Sequence, residues 1–148
     1  MTDKRIPLII EQGLKCVIVI DEDLPLGIIA NTAAILGITL GKHIPEIVGD
    51  DATDASGEKH LGITKIPVPI LKGDKEILRQ LRKRLYTSDF DDIIVVDFSD
   101  IAQGCNIYDE YIEKVSTILE VEHTYLGIAI CGNKKKVNKL TGSMPLLR

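Results

Sequence analysis

The sequence predicts an α/β fold, a three-layer α/β/α arrangement around a mixed, mostly parallel sheet of about four strands. Three observations carry that expectation. Short apolar runs recur at Cys16–Ile20, Ile93–Val96 and Tyr125–Cys131. Segments with helical periodicity lie between them, over 27–40, 75–86 and 107–119. Turn residues mark most of the junctions, among them Pro25 with Gly27, Gly73 with Asp74, and Gly132 with Asn133. A chain of 148 residues is one domain's worth, so residues 1–148 are read as a single α/β domain.

Taken in order, residues 1–13 read as an arm with a short edge segment near Pro7–Ile10. The first strand, over 15–20, is almost continuously apolar, as a central strand covered on both faces must be. Asp21, Glu22 and Asp23 then open a turn into the helix over 27–40, which is apolar around most of its circumference. Such a helix needs cover on more than one side, and the small residues Ala30, Ala33, Ala34 and Gly37 would admit a close neighbour. A homodimer is therefore expected. Leu24–Gly41 carries no charge, yet its proline, glycines, threonines and Asn31 argue against a membrane span.

The 44–64 segment is irregular, with a turn-rich Thr53–Gly57 that suggests a hairpin or an ordered loop. An extended stretch over 62–71 contains Pro67 and Pro69, which lack amide donors and so place it at an edge or a sheet end. Asp74 fits the N-cap of the next helix. There Ile77, Leu78, Leu81 and Leu85 form one stripe, and Arg79, Arg82, Lys83 and Arg84 are expected to face out. A second buried strand is read over 92–98, a polar loop over 99–106, a helix over 107–119, a core strand over 123–131, and a short basic helix over 134–140.

Composition narrows the function classes. The chain is 45% hydrophobic and 27% charged, with 18 basic and 22 acidic side chains and a net charge of −4. A net acidic chain with 4% aromatic residues and no tryptophan is a poor nucleic-acid reader. Cys16, Cys105 and Cys131 show no CxxC spacing, and Cys16 and Cys131 lie inside apolar runs. Such usage fits a reducing compartment. With no signal-peptide pattern at the N-terminus, a cytoplasmic location is expected. The acids Asp50, Asp51, Asp54 and Glu58 lack calcium-loop spacing, so no metal site and no cofactor is expected.

In an α/β unit, ligands gather at the carboxyl ends of the strands, beside helix N-termini. Asp23, Asn31 and Thr32 are thus candidate ligand-binding residues, against the plainer reading of a solvated acidic turn. Asp97 ends a strand, where partial desolvation would tune a carboxylate for chemistry, although it could equally cap the turn that follows. Cys105 precedes a helix whose N-terminal dipole would favour the thiolate, which makes it a candidate nucleophile. His60 or His123 could serve as its base only if folding brings one close.

Three patches together resemble the type II peptidyl-tRNA hydrolases. One is Thr124-Tyr125-Leu126-Gly127-Ile128, followed by Val137-Asn138-Lys139-Leu140-Thr141-Gly142 and Leu146-Leu147. Another is the opening strand with Asp23-Leu24 and the Gly27-led helix, and the third is Ile94-Val95-Val96-Asp97. The chain is also similar to a group of small bacterial proteins of unassigned function placed in that superfamily. The resemblance implies the fold, a divergent hydrolase, and a cleft in which Asp97 and Thr124 are catalytic. Where that family has a lysine near the start of the first helix, this chain has Ile28-Ile29-Ala30, and Ile101 replaces a threonine. Beside the hydrolase stand two other readings, a non-catalytic module that binds a small molecule in the same cleft and a thiol hydrolase built on Cys105. tRNA is disfavoured as a partner by the acidic balance, and a small-molecule ligand fits better.

Overall fold

A computed structural model describes residues 3–148. Its centre is a four-stranded mixed sheet in the order β4-β1-β6-β5, built from β1 (Leu14–Asp21), β4 (Ile70–Gly73), β5 (Ile94–Ser99) and β6 (Tyr125–Asn133). Only β1 and β4 run parallel, while β6 pairs antiparallel with both β1 and β5. The α/β class and the strand number agree with the sequence, but the mostly parallel arrangement does not. Its reason lies between β5 and β6. There α4 (Asp100–Gln103) and α5 (Tyr108–Ser116) bury no residue of their own, so this connection does not cross a sheet face and β6 returns antiparallel.

Strand alternation sends side chains to two faces, and each face has its own core. Cys16, Ile18 and Ile20 meet α1 (Ile6–Gln12) and α2 (Leu26–His43) through Ile6, Ile9, Leu36 and Leu40. Val17, Val19, Ile128 and Ile130 meet α3 (Lys75–Leu85) and α6 (Lys134–Thr141) through Leu78, Leu81, Leu85, Val137 and Leu140. The expected arm at the N-terminus is thus a helix, because Ile6 and Ile9, one turn apart, find a buried seat. Residues 1 and 2 of that arm lie outside the described residues.

Asp74 caps α3 as its sequence suggests, its Oδ1 accepting from the Ile77 amide at 2.8 Å. Pro67 and Pro69 precede β4, which is an edge strand. A two-stranded hairpin, β2 (Ala52–Thr53) with β3 (Lys59–His60), turns at Gly57 with φ +83°. Asp54 holds that turn by accepting from the Ser56 and Glu58 amides and pairing with His60 at 2.9 Å.

Two departures bear on function. The strand read as buried over 92–98 is β5, the other edge, and its central residues are only half-buried. Cys16 and Cys131, buried as expected, are register partners and form a disulfide with Cα atoms 4.2 Å apart. The reading of three unpaired thiols gives way to one cross-link and one free thiol, Cys105. No spacing rule could show this pair, because only the β1–β6 register sets the two residues opposite each other.

Candidate functional site

The free side of β5 lies at the bottom of a groove. One wall is α2, with Ile35, Thr39 and His43, and the other is the end of α3 and the turn after it, with Leu85, Tyr86 and Phe90. Two cavities open along it. The larger, about 630 Å³, runs beside Ile93–Asp97. The smaller, about 400 Å³, is lined by Val96, Asp97, Phe98, Cys105, Tyr108 and Tyr111 among others. Asp97, Val96 and Thr39 belong to both.

Asp97 is the hinge of this groove. Its Oδ2 lies 3.5 Å from Arg82 Nε, and the Arg82 guanidinium stacks on Tyr86 at 3.4 Å from the ring centre. Burial raises the Tyr111 phenol above its ordinary value, and the Asp97 charge adds to that rise. The carboxylate is therefore felt across the smaller cavity. Arg82 is a correction to the outward face expected for α3. Its Nε is buried, as is Nη1 of Arg79, whose Nη2 donates to the His123 carbonyl. A stem of three methylenes ending in a guanidinium lets both residues fold back over β5 and β6 from a helix flank that the apolar stripe assigns to solvent.

The other expected residues do not join Asp97. Thr32 is fully buried, and its hydroxyl donates to the Ile28 carbonyl at 2.7 Å, within its own helix. Its methyl sits over Gly127, where a Cβ would come within 2.7 Å of it. Thr32 is core, and its polarity is spent inside α2. Asn31 donates to Gln103 at 3.3 Å, and Asp23 is exposed, its amide bonded to Asp21 Oδ1 at 3.0 Å. Thr124 is tied to Asp100, its carbonyl accepting from the Asp100 amide at 2.9 Å and its own amide donating to Asp100 Oδ1 at 3.0 Å. None of these four lines either cavity. Ile28, near the start of α2, packs half-buried against the core.

Cys105 does share the smaller cavity with Asp97, but no histidine lines that cavity, and His43 lines only the larger one. His43 and His60 instead pair with Asp3 and Asp54, each at 2.9 Å. His123 Nδ1 and Ser99 Oγ hydrogen-bond at 3.0 Å, a contact the sequence reading missed because a β-bulge at Phe98/Ser99 brings them together. Asp21, grouped with Glu22 and Asp23 in the acidic turn, is not solvated. It is 1% exposed at the end of β1, and its Oδ2 has no hydrogen-bond partner among the described residues. Of the basic residues of α6, Lys136 pairs with Asp92 at 2.9 Å, while Lys134, Lys135 and Lys139 are exposed. Among the described residues no group of three or more His, Cys, Asp or Glu side chains could hold a metal ion.

Residues 14–148 match the family described as Protein of unknown function (DUF2000). The chain belongs to that family. A solved structure, that of the protein of unknown function Atu0240 from Agrobacterium tumefaciens strain C58, superposes with a TM-score of 0.80 at 20% identity. The match covers 90% of this chain and 96% of that one, and at this identity it speaks for the fold alone. No curated protein matches. For this DUF2000 chain the groove along β5 is thus the feature from which a function must be argued.

Proposed function

We propose that this chain is a binding module whose site is the β5 groove, with Asp97 as its polar anchor. The observation that carries the reading is the position of Asp97 at the junction of two cavities of about 630 and 400 Å³. Concave, largely apolar space with a few convergent polar groups is what ligand sites share. The occupant is a ligand with an apolar or aromatic body and a neutral or cationic group, placed between Tyr86, Tyr108 and Tyr111 beside the carboxylate. Hydrolysis on the peptidyl-tRNA pattern is the second reading. It rests on Asp97 and the sequence resemblance, and has no support from Thr124, Asp23, Asn31 or Thr32, which lie apart from the groove.

A thermal-shift and amide-shift screen with small aromatic amines tests this. Binders should raise the melting temperature of the wild type, move the amides of Val95–Asp97 and Tyr108–Tyr111, and lose both effects in Asp97→Asn. Binding that maps elsewhere, or none at all, rejects the groove. Asp97-dependent turnover of peptidyl-tRNA at low salt would replace it with the hydrolase.

The same proposal includes a homodimer formed through α2; the cytoplasmic location expected from unpaired cysteines loses that ground, because Cys16 and Cys131 are cross-linked. That helix buries only Thr32, Leu36 and Leu40. Leu26 and Ile38 are 81% and 73% exposed, and Ala30 and Ala34 lie open between them. By length and composition alone α2 also passes for a membrane-crossing helix, but its buried side ties it to the sheet.

A further inference from the structure

The bottom of the groove is a strand with main-chain hydrogen-bonding groups to spare. The Ile18 amide donates to the Pro69 carbonyl at 3.0 Å, so the main chain of Ile18 faces β4. In an antiparallel pair, bonded and non-bonded positions alternate. Ala129, opposite Ile18, and Cys131, opposite Cys16, therefore turn their main chains towards β5. Their partners there, Val96 and Ile94, are satisfied by β6, which leaves the N–H and C=O of Val95 and Asp97 pointing out of the sheet. The next outward carbonyl, that of Ile93, already accepts from Arg5 Nη1 at 3.0 Å, so one end of the edge is capped by the chain itself. Beyond that cap no hydrogen bond to the outward main-chain groups of Val95 or Asp97 is found among the described residues.

We propose that this edge takes an extended, lysine- or arginine-bearing peptide of a partner protein by strand addition. Its main chain bonds to Val95 and Asp97, and an apolar side chain fills the cavity of Tyr108 and Tyr111. The inference rests on the groove being the binding site. Main-chain pairing would supply affinity and the flanking cavities would supply selectivity, as in other strand-addition sites. A second copy of this chain is the poorer occupant. The walls made by Thr39 and His43 on one side and Tyr86 and Phe90 on the other would meet their own counterparts before two recessed edges reached the ~4.8 Å of paired strands. A single peptide strand has no such walls.

Charge sets the sign of the partner. Asp97 is itself paired with Arg82 at 3.5 Å, so the negative charge at its end comes from the exposed acids of α5, Asp109, Glu110 and Glu113, against Lys114, which is held by Glu110 at 3.2 Å. Arg5, at the capped end, is neutralised by Asp3 at 2.5 Å. The α3 wall is the more basic, with Arg82 and Arg84 over Tyr86 and Phe90. A basic side chain of the peptide is therefore directed to the end where Asp97 and α5 meet.

The test selects binders from a displayed library of random linear peptides against the full chain, then measures the strongest as synthetic peptides. Val95→Pro removes one outward N–H without touching a ladder bond, and should weaken binding by about tenfold or more. Asp97→Lys should do the same for peptides with a basic residue. A peptide N-methylated at alternate amides should bind more weakly to the unmodified protein, which keeps the test valid if Val95→Pro fails to fold. Bound peptide should slow hydrogen exchange at the amides of Val95 and Asp97. Strand addition is overturned if no peptide is enriched, or if enriched peptides bind Val95→Pro and tolerate N-methylation as well as before. If aromatic amines still bind at Asp97 in that case, the groove stands and only the peptide is rejected, whereas loss of both rejects both.

Discussion

The disulfide between Cys16 and Cys131 makes the sharpest quantitative prediction. It joins residues 115 apart in sequence, across the central β1–β6 pair. A cross-link of that span restricts the unfolded chain strongly, and the chain-entropy estimate for a loop of this size is about 5 kcal/mol at 25 °C. Measured values for native disulfides run lower, so a loss of about 2–5 kcal/mol is expected on removal. For a chain of this length that lowers the melting temperature by roughly 5–20 °C. Both sulfurs are fully buried, so reductant reaches them only through unfolding. The assay is urea denaturation of protein reduced in denaturant and refolded, beside Cys16→Ala/Cys131→Ala with and without reductant. The double variant in reductant, set against reduced wild type, isolates the packing lost with two sulfur atoms. The remaining difference belongs to the cross-link. Equal stability of oxidised and reduced wild type, with three free thiols titrated in the oxidised sample, would refute the reasoning.

Other predictions follow from the same contacts. Thr32→Val should leave stability within about 1 kcal/mol and leave aromatic-amine binding unchanged, since its hydroxyl serves only the Ile28 carbonyl. Loss of binding in that variant would return Thr32 to the site. Arg5 donates to Asp3 and holds its carboxyl well below the usual carboxylate range, with His43 adding to the effect. A depressed folded value stabilises above the unfolded value near 4, and that stabilisation fades as pH falls below about 5. Asp3→Asn should therefore flatten the acid limb of the stability curve, and an unchanged limb would count against the pair. For the α2 interface, sedimentation should give a dimer for wild type and a monomer for Ile38→Glu. A wild type that sediments only as monomer removes the dimer.

Much of the fold was legible in residue order. The runs at β1 and β6 are apolar on both alternations because both strands are central and covered on two faces. The stripe of Leu78, Leu81 and Leu85 announced α3, and Asp74 announced its start. Local chemistry decides such features, so a window of ten residues contains them. Asp97 was legible as a carboxylate set in an apolar run, but it lies within β5 rather than at the strand end the sequence suggests, because pairing with β6 continues to Ser99.

What surrounds Asp97 was not. That β5 is an edge follows from strand order, and strand order depends on how β6 returns between β1 and β5. An apolar run such as Ile94-Val95-Val96 reads the same at an edge as in the middle, because its side chains still pack on both faces while only its main chain is bare. Thr32 shows the converse, a polar residue in the expected place whose partner is its own helix. Cys16 with Cys131, and Asp97 with Arg82, Tyr111 and Cys105, meet only after distant segments are brought into register. The sequence by itself determined the elements and the chemistry each could offer. The tertiary structure alone decided which of them share a groove, because proximity across a sheet is set by register and strand order rather than by spacing along the chain.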